Sequence, residues 1–173
     1  MINIETPEDI LNFMDNIDYG YIDLMGNKHI NTLQDYETNY RTLSIEQILK
    51  NNIGTCIEQV SLMHTLLNKL NIPSKMFCIR GIGEKEYTHC VVLYYDENGV
   101  HQIEHPHGDR KGIYHFKDEQ TALNEINKVY TKMYNGIQKP TVEYDYIAPG
   151  LSIKEFNEYI DSLEEKKEKT HSR

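Results

Sequence analysis

The sequence predicts an α+β fold, and three observations carry that expectation. The strongest helical pattern runs from residue 56 to 70, where Ile57, Val60, Met63, Leu66, Leu67 and Leu70 recur at steps of three and four. Residues 75–116 are β in character, with β-branched and aromatic side chains concentrated over 88–95 and a turn signal at Asp96-Glu-Asn-Gly99. Helical spacing returns in both flanks. The architecture expected is therefore a central helix packed on an antiparallel sheet, with N- and C-terminal helices beside it.

In chain order, Thr6-Pro-Glu-Asp9 reads as a cap, a proline at the first helical position and an acidic residue at the third. Apolar Ile10, Leu11, Phe13, Met14 and Ile17 then predict a short amphipathic helix. Residues 18–42 hold no sustained period and several Asn, and read as an ordered loop region. Ser44-Ile-Glu-Gln47 is a second capping box before a brief helix. The long helix follows Gly54 and stops at Asn71-Ile-Pro73. Strands are expected at 75–79, 88–95, 100–104 and 113–116; with Glu97 and Asn98 central in the turn, Tyr95 opposes Val100. A helix is expected over 118–134 through Ala122, Ile126 and Val129, and a third capping box, Ser152-Ile-Lys-Glu155, opens a last one through Leu163. The charge run 164–173 is expected to be solvated or frayed.

A chain of 173 residues with 39% hydrophobic content fits one domain over 1–173, with a core at 44–116, an N-terminal extension 1–43 and a helical part 117–173. Its 18 basic against 27 acidic residues give a formal charge of −9, which argues against nucleic acid and anionic membrane as partners. No basic segment followed by an apolar run opens the chain, and no stretch approaches the roughly 18 apolar residues of a membrane span. Three cysteines, Cys56, Cys78 and Cys90, are an odd number and suggest free thiols in a reducing, cytoplasmic compartment. Oligomeric state does not follow from any of this.

Cys56 stands apart because it opens the core helix. Unpaired N–H groups and the positive end of the helix face a residue there, favouring a thiolate and offering donors to an oxyanion. A lone cysteine at that position is equally a small apolar residue. Two further residues change the weighing. In the hairpin register above, Glu104 opposes Val91 and lies diagonal to His89 on one face, with Cα atoms roughly 7–8 Å apart and within reach of a His–carboxylate bond. Val91, Leu93 and Tyr95 share that face and are expected to pack the Cys56 helix. In such an arrangement Cys56 attacks, His89 moves the proton and Glu104 orients the ring. A side chain completing an oxyanion hole is sought among Gln47, Asn51 and Asn52.

These residues resemble a family. Gly54-Thr-Cys56 opening an apolar helix, Leu70-Asn-Ile-Pro73 closing it, a strand, Thr88-His89 on the next strand and an acid fifteen residues later are similar to the transglutaminase-like superfamily. The resemblance covers residues 44–116. It implies a papain-like core, Cys56 as nucleophile, His89 as base and Glu104 as orienting acid. The implied activity is that of a cysteine-dependent amide hydrolase or acyltransferase on a peptide, protein or small amide, without a cofactor. The family usually carries Asp where Glu104 stands, and often Trp beside the His and the acid; this chain has no Trp and 13 Tyr. Tyr87, Tyr94, Tyr144 and Tyr146 are the candidates to line a groove. Alternatives are a non-catalytic interaction module of the same fold, or a metal-binding hydrolase using His101, His105, His107 and Asp109.

Overall fold

The computed structural model describes residues 3–171. It is an α+β protein with an antiparallel main sheet and a small mixed one. Helix α1 (Pro7–Phe13) begins with the expected capping box, in which Thr6 Oγ1 accepts from Asp9 N and Asp9 Oδ2 accepts from Thr6 N. A 3-10 turn, Met14–Asn16, extends it.

The next segment differs from expectation. Residues 18–42 carry β1 (Asp18–Ile22), β2 (Lys28–Ile30) and α2 (Tyr36–Asn39) rather than a loop. These strands are short and half exposed, so neither an alternating pattern nor an apolar run marks them. β1 pairs antiparallel with β2 and parallel with the two-residue β3 (Ile53–Gly54), where Tyr19 opposes Gly54. Helix α3 (Ile45–Asn51) starts at the Ser44–Gln47 box and ends at Asn52 in the left-handed region. That reversal sends the chain through β3 into α4 (Cys56–Lys69).

The main sheet has the order β7-β6-β5-β4-β8, built from β4 (Ser74–Ile82), β5 (Glu86–Asp96), β6 (Gly99–Glu104), β7 (Gly112–Phe116) and β8 (Ile137–Gln138). β9 (Val142–Tyr144) also pairs with β4. The β5–β6 register is the expected one, with Tyr95 opposite Val100 and Val92 opposite Ile103. Both faces of the sheet are covered. Met76, Cys78, Cys90, Val92 and Tyr94 share a core with α4, whereas Phe77, Ile79, Val91 and Leu93 pack with Ala122, Ile126 and Tyr130 of α5 (Glu119–Tyr134). The face carrying Val91 and Leu93 therefore meets α5, not the Cys56 helix as expected. Apolar residues on both faces of β5 leave no alternation from which to choose.

Helix α6 (Ile153–His171) runs well past Leu163. Its distal turns are largely exposed, but Glu164 is not simply solvated: with Asp161 it holds Arg80, a fully buried guanidinium on β4, at 2.9 and 2.5 Å. Removing the guanidinium in Arg80→Met should free the end of α6. Amide exchange over 161–170 is expected to speed up while β4 and β5 stay protected, and unchanged exchange there would contradict the tether. Among the described residues no helix is long and apolar enough to cross a membrane.

Candidate active site

The site is assembled where α4 begins. Thr55 caps the helix through Oγ1, which accepts from Ile57 N at 3.2 Å, and Glu58 Oε1 accepts in return from Thr55 N at 3.0 Å. Glu58 is buried and also accepts from the Tyr40 hydroxyl, a pairing that no local pattern in 18–42 announces. Burial pushes its carboxyl up against the pull of the Tyr40 and Thr55 bonds. The turn entering the helix is tight: a Cβ on Gly54 would lie 2.5 Å from the Glu58 Cβ. Gly54→Ala must therefore shift the helix start, at an expected cost of about 1–3 kcal/mol in urea unfolding. A loss below 0.5 kcal/mol would show that the turn has slack.

Cys56, the first residue of α4, keeps 9% of its surface exposed, while Cys78 and Cys90 are sealed in the core; all three are free thiols. The Cys56 side chain interacts with the thiol of Cys90 and with the imidazole of His89. Contact with Cys90 and burial push the Cys56 thiol up, and His89 pulls the other way.

His89 sits on β5 with its Nε2 3.0 Å from Glu104 Oε1, at the end of β6. That bond leaves Nδ1 as the ring nitrogen available to the thiol. The structure thus brings all three predicted site residues together. Glu104 is held from several sides: Gln102 Nε2 donates to Oε1 at 3.2 Å, the Tyr130 hydroxyl at 2.8 Å, and the His107 backbone N–H to Oε2 at 3.2 Å. Burial disfavours the Glu104 carboxylate, but the charge of His89 and these donors overcome it and keep the carboxyl below its ordinary range. Burial likewise opposes a charged His89, and Glu104 with Cys56 outweighs it, holding the imidazolium up to about 10.

Tyr130 was outside the sequence expectation, which followed Ala122, Ile126 and Val129 along this helix. Its ring stacks on His89 with centroids 4.3 Å apart while its hydroxyl holds Glu104, so one side chain fixes both members of the pair. The proposed oxyanion donors are not here. None of the three lines the space beside Cys56: Gln47 Oε1 accepts from Ser44 N, Asn51 Nδ2 donates to the Gln47 carbonyl, and Asn52 ends α3. Thr55 Oγ1 takes the N–H groups of Ile57 and Glu58, so the first turn of α4 leaves the backbone N–H of Cys56 itself as a donor beside the sulfur.

The His-rich segment does not converge on one point. His101 lies between Asp96 and His115, at 2.7 Å from each, whereas His105 is bound by Gln59 Oε1 at 2.7 Å and Asp15 Oδ1 at 3.1 Å. His107 packs edge-on against Tyr130. Among the described residues no three His, Cys, Asp or Glu side chains form a metal-binding group.

Two cavities, of about 790 and 540 Å³, share Tyr19, Leu33, Cys56, Thr88 and Tyr134 in their walls, so Cys56 lies in the floor of one groove with two limbs. Of the tyrosines considered from sequence, only Tyr87 lines it. Tyr94 packs on His101, Tyr144 is buried edge-on to Phe156, and Tyr146 is exposed outside it. Tyr19 and Tyr134 take that place instead. The chain matches no protein-family model and no curated protein.

Proposed function

We propose that the chain is a cysteine-dependent amide hydrolase or acyltransferase with a transglutaminase-like, papain-like core, working on a peptide, protein or small amide. The observation that carries this reading is the single contact chain Cys56, His89, Glu104 at the junction of two groove limbs. A structural cysteine needs neither an imidazole paired to a buried carboxylate nor an open groove beside it.

In this mechanism the Cys56–His89 pair gives up one proton, and Cys56 sulfur adds to the amide carbonyl as a thiolate beside the His89 imidazolium. The developing oxyanion is met by the Cys56 backbone N–H, the first-turn donor that the Thr55 cap leaves open. Collapse expels the amine, which receives the proton from His89, and leaves a thioester on Cys56. Water then regenerates the acid and the thiol, or an amine takes the acyl group. Glu104 keeps the ring oriented and stabilises its charged form throughout. Three free thiols support a reducing, cytoplasmic setting.

Limiting iodoacetamide followed by peptide mapping tests the reading. Cys56 is expected to carry nearly all of the label, with a rate that rises with pH as the Cys56–His89 pair gives up its proton. Equal labelling of the three thiols would favour a non-catalytic interaction module. A stoichiometric metal in the purified protein, lost in His105→Ala and His107→Ala, would favour a metal site instead.

A further inference from the structure

The two limbs of the groove differ in chemistry. The larger one is walled by Tyr36, Tyr40 and Tyr87 beyond the shared Tyr19 and Tyr134, and it carries four carboxylates, Glu37, Glu86, Glu158 and Asp161, against one cation, Lys154. Asp161 is engaged by Arg80, and Glu86 has Lys139 at 3.5 Å. Glu37 and Glu158 form no ion pair with any described residue. Asn157, in the same wall, has a buried Oδ1 without a donor among the described residues. The smaller limb is closer to balance, with Asp18 and Asp109 against Lys111, plus His105, whose imidazole burial holds below its ordinary value.

Aromatic faces combined with unpaired carboxylates are a receptor for an organic cation: the ring quadrupole attracts the charge and the carboxylates accept its N–H groups. Tyr87 and Tyr134 are stacked at 4.5 Å, giving that wall a rigid aromatic surface. Its volume of about 790 Å³ is large enough to take a long side chain together with its backbone. The net charge of −9 draws cations toward it at longer range. A planar guanidinium both stacks on tyrosine and forks onto carboxylates, so arginine suits the limb better than lysine.

We propose that the tyrosine-walled limb receives a basic side chain, arginine ahead of lysine, of the peptide whose amide carbonyl is presented to Cys56. The proposal rests on the thioester reading above and adds the substrate class to it. The basic residue is a recognition element that stays outside the bond changes; the carbonyl carbon remains the only atom attacked.

The test uses short peptides bearing a chloroacetamide group, with one arginine, norleucine or glutamate placed one to three residues to either side of it. Rates of Cys56 labelling are divided by the iodoacetamide rate of the same protein, which removes differences in thiol reactivity. At one position arginine is expected to exceed glutamate by about tenfold in low salt, with norleucine between them, and the ratio should shrink at high salt. Glu37→Gln with Glu158→Gln should bring the ratio near one, and Glu37→Lys with Glu158→Lys should invert it. A flat response at every position, or a preference that survives the double glutamine change, overturns the proposal. Calorimetric titration with the same peptides lacking the reactive group decides the preference even where Cys56 proves inert. Failure of the thioester reading and failure of the limb's selectivity are thereby read separately.

Discussion

Replacing His89 with alanine is expected to slow iodoacetamide labelling of Cys56 at least about a hundredfold near neutral pH, the scale on which a positioned proton acceptor acts. Cys56 keeps its 9% exposure and its place at the head of α4, so access alone would leave the rate almost unchanged. What disappears is the imidazole that interacts with the thiol. His89→Asn, which keeps a polar group near Glu104 but cannot take the proton, should be equally slow. Rapid labelling in both variants would mean that Cys56 reacts because it is reachable, and the proposed role of His89 would fall. Turnover of any amide substrate later found should drop by about 10²–10⁴ in the same variants.

Glu104→Ala should produce the largest loss of stability of any single change at the site, about 3–5 kcal/mol near pH 6, because it leaves a buried imidazolium without its counter-charge. It also strands the Gln102 amide, the Tyr130 hydroxyl and the His107 N–H. The dependence on pH identifies the cause. His89 has an ordinary value of 6.5 and is held up to about 10 in the folded protein, so its contribution to stability is complete below 6.5 and is lost as pH rises toward 10. The Glu104 carboxyl is held below its ordinary 4.5, so its contribution is present above 4.5 and is lost as pH falls through the lowered value. Urea unfolding should therefore find the wild-type pair strongest between about 4.5 and 6.5. The deficit of Glu104→Ala should narrow from pH 6 to pH 9.5, and a constant deficit would assign the effect to lost packing. In Glu104→Gln, the labelling profile of Cys56 should move to lower pH, since the charge that retains the ring proton is gone.

Local signals in the sequence carried much of this arrangement. Each capping box is a four-residue pattern satisfied by its own neighbours, and Thr6, Ser44 and Ser152 all act as read. The Asp96–Gly99 turn sets the β5–β6 register, and parity alone puts His89 and Glu104 on a common face. The choice of face was not legible, because helices cover both sides and β5 is apolar on each. Tyr130 escaped because its two contacts are to residues 41 and 26 positions earlier, and helical periodicity carries no information about such distances. β1, β2 and β3 escaped for a related reason. They are short, half-polar pieces that make sense only once paired with one another.

That last group sets the smallest piece of this chain that could be moved to another protein with its chemistry intact. The residues immediately before Thr55 are not a free leader to α4: Gly54 is bonded in register with Tyr19, so the wall of the groove and the start of the helix form one rigid corner. Excising 44–116, the span of the family resemblance, would cut that corner in half. It would also discard the Tyr40 hydroxyl that Glu58 relies on and the Tyr130 that steadies His89. A transplantable unit has to begin at α1 and end beyond α5. Trimming to the span of the resemblance is the wrong cut here.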